Sequence, residues 1–200
     1  MSEGDLRQRK RLSAMRRIQN AALDLFDARG YEAVTVEQIA DASEVSASSV
    51  YRYFGTKEQL ILWDEWDPLV LEALLDALGD APPLVAARHV MLAVMTDLVT
   101  SDEQRLQRRV RHMMADPTLE AASARQVLAL SETVGEVVAA RLHRKNEDLE
   151  VQVFSHALVG GLLGALHHWH GSGFAEPLRA VLTRSFDIFE RGLDVPAALV

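Results

Sequence analysis

Cysteine is absent, which removes disulfides and thiolate metal sites and suits a reducing cytosol. A secretion signal is also missing from the expected place, because the basic start, Arg7 to Arg17, runs into an amphipathic pattern and not into an apolar core. The most apolar segment, Val151 to Trp169, is interrupted by His156, His167 and His168. Its uninterrupted part is shorter than the ~20 residues that a membrane span needs, so a cytoplasmic protein without a membrane partner is expected. No strand pattern and no internal repeat occurs. There is no phosphate loop, nucleophile elbow or His-Glu zinc motif, so nothing points to an enzyme or to a cofactor. His167 and His170 lie one helical turn apart, but no carboxylate sits three residues before any histidine. The di-iron bundle pattern is therefore missing, and no metal site is assigned.

What is present is a hydrophobic content of 48% over 200 residues, enough for a sizeable core. The formal charge of −8 argues at first against nucleic acid, but its distribution does not. The first 58 residues carry 9 basic and 9 acidic side chains, leaving 12 against 20 in the remainder, and the first 17 carry 6 basic to 2 acidic. That local excess is a positive arm able to follow a phosphate backbone.

Thr35 to Leu60 organises the chain. Before it, from Met15, apolar residues at Ile18, Ala21, Ala22, Leu25 and Phe26 form the stripe of a half-buried helix, stopped at Arg29-Gly30. Thr35 and Gln38 have capping-box spacing, and Val36, Ile39 and Ala40 supply the short apolar face of a second helix. After the turn at residues 42–45, Ser46 caps a third helix, Ala47 to Phe54, with Val50 and Phe54 inward and Ser48, Ser49 and Arg52 outward. Gly55 ends it. Thr56 to Gln59 repeats the capping-box spacing and begins a fourth helix that runs to about Leu78, with a kink or break near Asp64 to Asp67 ahead of Pro68.

Gly79 to Pro83 reads as a linker. Helices are then expected over 84–100, 102–115, 118–145, 147–171 and 176–191, with a basic cluster (Arg105, Arg108, Arg109, Arg111) in the second of these and a break at Asp116-Pro117. In the penultimate helix Val151, Phe154, Leu158, Leu162, Ala165 and Trp169 form one apolar stripe, and Ala157, Gly160, Gly164 and His168 form a second face of mostly small groups. A glycine inside a helix costs about 1 kcal/mol relative to alanine, so close packing is expected to offset it. With Val181, Phe186 and Phe189 of the last helix, this face is expected to build half of a four-helix bundle completed by a second copy. An intramolecular hairpin packed on the same chain is the other reading.

Across Arg17 to Leu60 the residues Ile18, Ala21, Ala22, Leu25, Phe26, Gly30, Tyr31, Thr35, Val36, Ile39, Ala40, Val45, Ser46, Tyr51, Tyr53, Phe54, Lys57 and Leu60 fall, without a gap, on a known pattern. The stretch resembles the DNA-binding domain of the TetR (tetracycline-repressor-like) family of regulators. The resemblance implies an all-α protein of about nine helices. A helix-turn-helix domain with a basic arm over residues 1–60 would be followed by an effector-binding and dimerisation domain over 61–200. The chain departs from the family's pattern at two places: Glu44 stands where glycine is usual, and Ala47 and Ser48 replace the usual Lys/Arg and Gly.

The resemblance implies a ligand-responsive regulator, a repressor that binds a palindromic operator as a homodimer and is released by a small molecule. By its exposed pattern as well as by resemblance, the third helix enters a major groove. Thr35, Ser46, Tyr51, Tyr53 and Lys57 suit phosphate contacts, while Ser48, Ser49 and Arg52 are candidates for base edges. Arg9 and Lys10 are placed to follow the adjacent minor groove. Trp63, Trp66, Met91, Met95, His112 and Met113 are the candidate lining of an effector pocket, since soft and aromatic side chains suit an apolar or acyl-like ligand. A helical ligand-binding or interaction protein whose head has lost DNA binding is the competing reading.

Overall fold

A computed structural model describes residues 3–64, 67–79 and 81–194, leaving aside the side chains of 3–5, 67, 68 and 95–101. Every regular element among them is helical: α1 (Glu3–Arg29), α2 (Val36–Ala42), α3 (Ala47–Phe54), α4 (Gln59–Leu62), α5 (Asp67–Ala77), α6 (Pro83–Ala115), α7 (Pro117–Arg141), α8 (Leu149–Gly171) and α9 (Leu178–Glu190). The sixth is two helices joined at Asp102, whose φ of −151° and ψ of 18° leave the helical region. This is the all-α class expected.

Two compact units are present, one of Met1–Glu65 with Arg105–Ser123 and one of Trp66–Gln104 with Ala124–Val200. The first unit thus takes in the last turns of α6 and the start of α7, which a linear division at residue 60 leaves out. Its core includes Ile18, Ala22, Leu23, Phe26, Ile39, Leu60, Ile61, Val110 and Leu119, each at most 1% exposed. The buried face of α1 runs through Met15, Ile18, Gln19, Ala22, Leu23 and Phe26, so it is turned slightly from the stripe that includes Ala21 and Leu25.

Two expectations about this unit need correction. The first helix begins at Glu3 and not at Met15, so the basic arm, Arg7 to Arg11, lies on its early turns and not ahead of it. The Leu-, Gln-, Arg- and Lys-rich segment holds good helix formers and no proline to stop the helix upstream of Met15. The second capping box does not form: Glu58, in helical conformation, precedes α4 without a side-chain cap. The Thr56 hydroxyl instead bonds to the Glu58 carboxylate, whose pKa is held low by its own backbone N–H and then by that hydroxyl.

In the second unit, Leu74 of α5 and Leu78 just past its end, Ala86 and Ala87 of α6, Val134 and Val138 of α7, Leu158 and Val159 of α8, and Phe186 of α9 form one core cluster. Arg88 joins α6 to α9 through Asp187 at 2.8 Å and Glu190 at 3.3 Å. Just past the Asp102 kink, Glu103 accepts from the Leu178 backbone N–H at 3.2 Å and so supplies the N-terminal cap that Pro177 lacks. By length and composition alone α8, with 23 residues, is long and apolar enough to cross a membrane, a property that a buried core helix shares. Its Val151, Ser155, Leu158, Val159, Ala165 and Trp169 are nonetheless buried within the chain, as in a bundle helix.

Candidate nucleic-acid interface

The reading head is assembled from local hydrogen bonds. Thr35 Oγ1 accepts from the Gln38 backbone N–H at 3.3 Å, and Gln38 Oε1 accepts from the Thr35 N–H at 3.1 Å, completing the capping box. At the far end of α2 the buried Ser43 hydroxyl donates to the Ile39 carbonyl at 2.7 Å, and Arg17 of α1 donates to the Ser43 carbonyl at 3.2 Å. Glu44 follows with φ of +56°, the left-handed region that favours glycine, and it is exposed. The turn closes by the Val45 N–H donating to the Ala40 carbonyl at 3.0 Å.

Ser46 then caps α3 by accepting from the Ser49 N–H at 3.2 Å. Val50 and Phe54 are buried, at 1% and 7% exposure, which orients the remainder of α3 outward. Ser48, Tyr51 and Arg52 are exposed, and Ser49 and Tyr53 are half-buried. The hydroxyls of Ser48 and Ser49 each lie 2.9 Å from that of Ser46. Arg52 donates to Ser49 Oγ at 3.3 Å, and its guanidinium stands 5.1 Å from the Tyr53 ring centroid. The face therefore offers hydroxyls, one guanidinium and an exposed phenol, a set that can contact phosphates and base edges. Arg9 and Lys10 are exposed on the early turns of α1.

Lys57 is placed differently. Its ammonium donates to the Tyr31 carbonyl at 2.5 Å and lies 4.1 Å from the Tyr31 ring centroid and 5.8 Å from that of Phe26. Burial, and then the charges of Glu58, Asp116 and Glu32, push the Tyr31 phenol pKa up. Tyr31 thus holds Lys57 through its carbonyl and Glu58 through its phenol, joining the end of α1 to the approach to α4.

The candidate pocket residues are dispersed. Trp63 ends α4 and meets Phe54 edge to face, with centroids 5.7 Å apart. His112 bonds to Asp27 Oδ1 at 2.7 Å and lies edge-on to Phe26 at 5.9 Å, while Arg108 bridges Asp27 at 2.6 Å and Asp24 at 2.7 Å. These residues, with the buried Met113, belong to the first unit; Met91 packs against the core of the second. Trp66 and the side chain of Met95 lie outside the described residues.

On the terminal pair, Gly161 packs against Phe189, where an added Cβ would come within 2.3 Å of the ring. Gly160 and Gly164 are exposed, and a Cβ at either would meet nothing in the same chain. Ala157 is half-buried and His168 exposed. The chain's own core takes Val181 and Phe186, at 3% and 1% exposure, while Phe189 is half-buried. A groove of about 430 Å³ runs between α8 and α9 past Gly164, His168, Arg184, Ile188 and Phe189.

Two residues of the head were not foreseen from sequence: Gln19 and Arg109. Gln19 is 1% exposed, and the signal for it is a long amide in the middle of an apolar helical stripe. Arg109 belongs to the basic cluster noted above, which is uninformative until the fold supplies its partners.

Residues 18–62 match the family described as bacterial regulatory proteins, tetR family, and residues 81–194, more than half of the chain, match the MftR C-terminal domain. The chain is 28% identical over 188 residues to MftR of Mycobacterium tuberculosis, spanning 93% of this chain and 94% of that protein, whose name assigns it to the regulation of mycofactocin biosynthesis. It is 41% identical over 96 residues to the HTH-type transcriptional regulator TcmR of Streptomyces glaucescens, spanning 45% of this chain and 41% of that protein. Two solved structures share the fold. SmeT of Stenotrophomonas maltophilia, in a triclosan complex, has a TM-score of 0.60 and 18% identity over 93% of this chain and 96% of its own. FadR of Thermus thermophilus, in complex with lauroyl-CoA, has a TM-score of 0.53 and 20% identity over 93% and 98%.

Proposed function

Because the chain belongs to the tetR family of bacterial regulatory proteins, and is thereby a DNA-binding transcriptional regulator, we propose that it is a repressor which occupies a palindromic operator as a homodimer and is released by an apolar or acyl-like small molecule. The observation that carries the reading is the orientation of α3. Burial of Val50 and Phe54 turns Ser48, Tyr51 and Arg52 outward on a helix capped by Ser46, which is the presentation a major-groove reader requires.

The face of α8 that carries the exposed Gly160, Gly164 and His168 and the half-buried Ala157, together with Phe189, supports pairing with a second copy. The effector class is supported by the fold relatives, FadR in its complex with lauroyl-CoA and SmeT in its complex with triclosan. In this reading residues 1–60 carry DNA recognition and 61–200 carry effector binding and dimerisation.

A gel-shift titration with the DNA upstream of the chain's own coding sequence tests the function. A specific shift that weakens steeply with salt and is lost in Tyr51→Phe supports it. The absence of a specific shift at any operator would favour the competing reading, a helical ligand-binding protein with a silent head. In a thermal-shift panel, lauroyl-CoA is expected to raise the melting temperature, and stabilisation only by sugars or metal ions would sink the effector assignment.

A further inference from the structure

The short helix α4 has four residues, and its carbonyl end is held by two side chains from distant parts of the first unit. Gln19 of α1 donates through Nε2 to the carbonyls of Leu60 and Trp63, at 3.0 Å each. Arg109 of α6 donates through Nε to the Ile61 carbonyl at 2.7 Å, through one terminal nitrogen to the Leu62 carbonyl at 3.1 Å, and through the other to Asp64 at 3.0 Å. Four consecutive carbonyls, 60 to 63, are thus occupied by an amide and a guanidinium. Both donors are buried, with Gln19 at 1% and the Arg109 side chain at 8% exposure. A cation at a helix C-terminus complements the negative end of its dipole, and a buried guanidinium is tolerated when its donors are satisfied.

The contacts continue to the reading helix. Trp63, whose carbonyl Gln19 holds, packs edge to face on Phe54, the last residue of α3. Gly55, at φ of +77°, ends α3 and separates it from the approach to α4.

We propose that Arg109 and Gln19 are positioning residues of the DNA-binding head, which act without touching DNA by fixing the carbonyl end of α4 and, through Trp63 and Phe54, the orientation of α3. This rests on the reading of the head as a DNA binder. A clamp of this kind supports discrimination between sequences, which depends on the register of α3, while leaving sequence-independent attraction to phosphates intact.

The test measures fluorescence-anisotropy binding of the full chain to the upstream DNA and to a scrambled duplex of equal length, with active fractions fixed by stoichiometric titration. Arg109→Gln and Gln19→Leu are expected to lose about tenfold on the upstream DNA, with scrambled-duplex affinity within about twofold of wild type. Arg109→Lys, which keeps the charge but not the fork, is expected to fall between. General destabilisation lowers the active fraction for both DNAs alike and leaves the ratio of affinities unchanged. If Arg109→Gln does not fold, Gln19→Leu decides. Folded variants that keep the wild-type ratio overturn this inference alone. A wild-type chain unable to distinguish the two duplexes overturns the DNA-binding reading and this inference with it.

Discussion

The turns of the reading head and the core of the second unit are held together on different length scales. In the first, Thr35 bonds Gln38, Ser46 bonds Ser49 and the Gly30 N–H bonds the Phe26 carbonyl, so each turn is secured by residues three or four positions away. The second unit is held by contacts that cross most of its length, such as Arg88 with Asp187, 99 positions apart, and Phe186 in one cluster with Leu74. The ends of the short helices in the head are specified by turn chemistry, while Gln19 and Arg109 reach across 41 and 48 positions to hold α4. A body of long helices is specified by the apolar surface that those helices share.

That contrast can be broken by substitution. The largest effect is expected in the second unit: Trp169, 0% exposed, donates to the Glu176 carbonyl at 2.8 Å and packs on Phe174. Trp169→Ala is expected to cost about 3–5 kcal/mol, measured by urea denaturation. Thr35→Ala removes one local cap and is expected to cost about 1 kcal/mol in the same assay. A larger loss for Thr35→Ala than for Trp169→Ala would overturn the ranking of core burial above a single local cap. The smallest change has the opposite sign. Glu44→Gly relieves a left-handed φ on an exposed side chain and is expected to raise stability by up to about 1 kcal/mol; a drop in melting temperature would mean that the carboxylate contributes more than its backbone strain costs.

The same division explains what could be read in advance. Thr35, Ser46, Gly30 and Gly55 were legible because each follows from a residue type and its near neighbours, whereas the turn at Glu44 stood out only through the glycine that the family resemblance places there. The start of α1 is not marked by apolar periodicity, because a run of polar helix formers extends the helix upstream of its buried face, and the spacing at Thr56 misleads because its hydroxyl finds the Glu58 carboxylate in place of a backbone N–H. Gln19 and Arg109 stayed silent because their partners lie 41 to 48 positions away. His112, expected in a pocket from its type, is paired with Asp27 for the same kind of reason.

Residue order alone settled the helical class, the order of the three head helices and the outward serine, tyrosine and arginine face of α3, because capping and amphipathic periodicity act within a few turns of the chain. Folding in three dimensions decided that Lys57 faces Tyr31, that Phe186 serves the chain's own core while Gly160 and Gly164 stay open, and that the carbonyls of α4 are held by α1 and α6. Those outcomes depend on which distant groups arrive beside a side chain, and a buried donor or ring takes whichever partner the packed core leaves within reach.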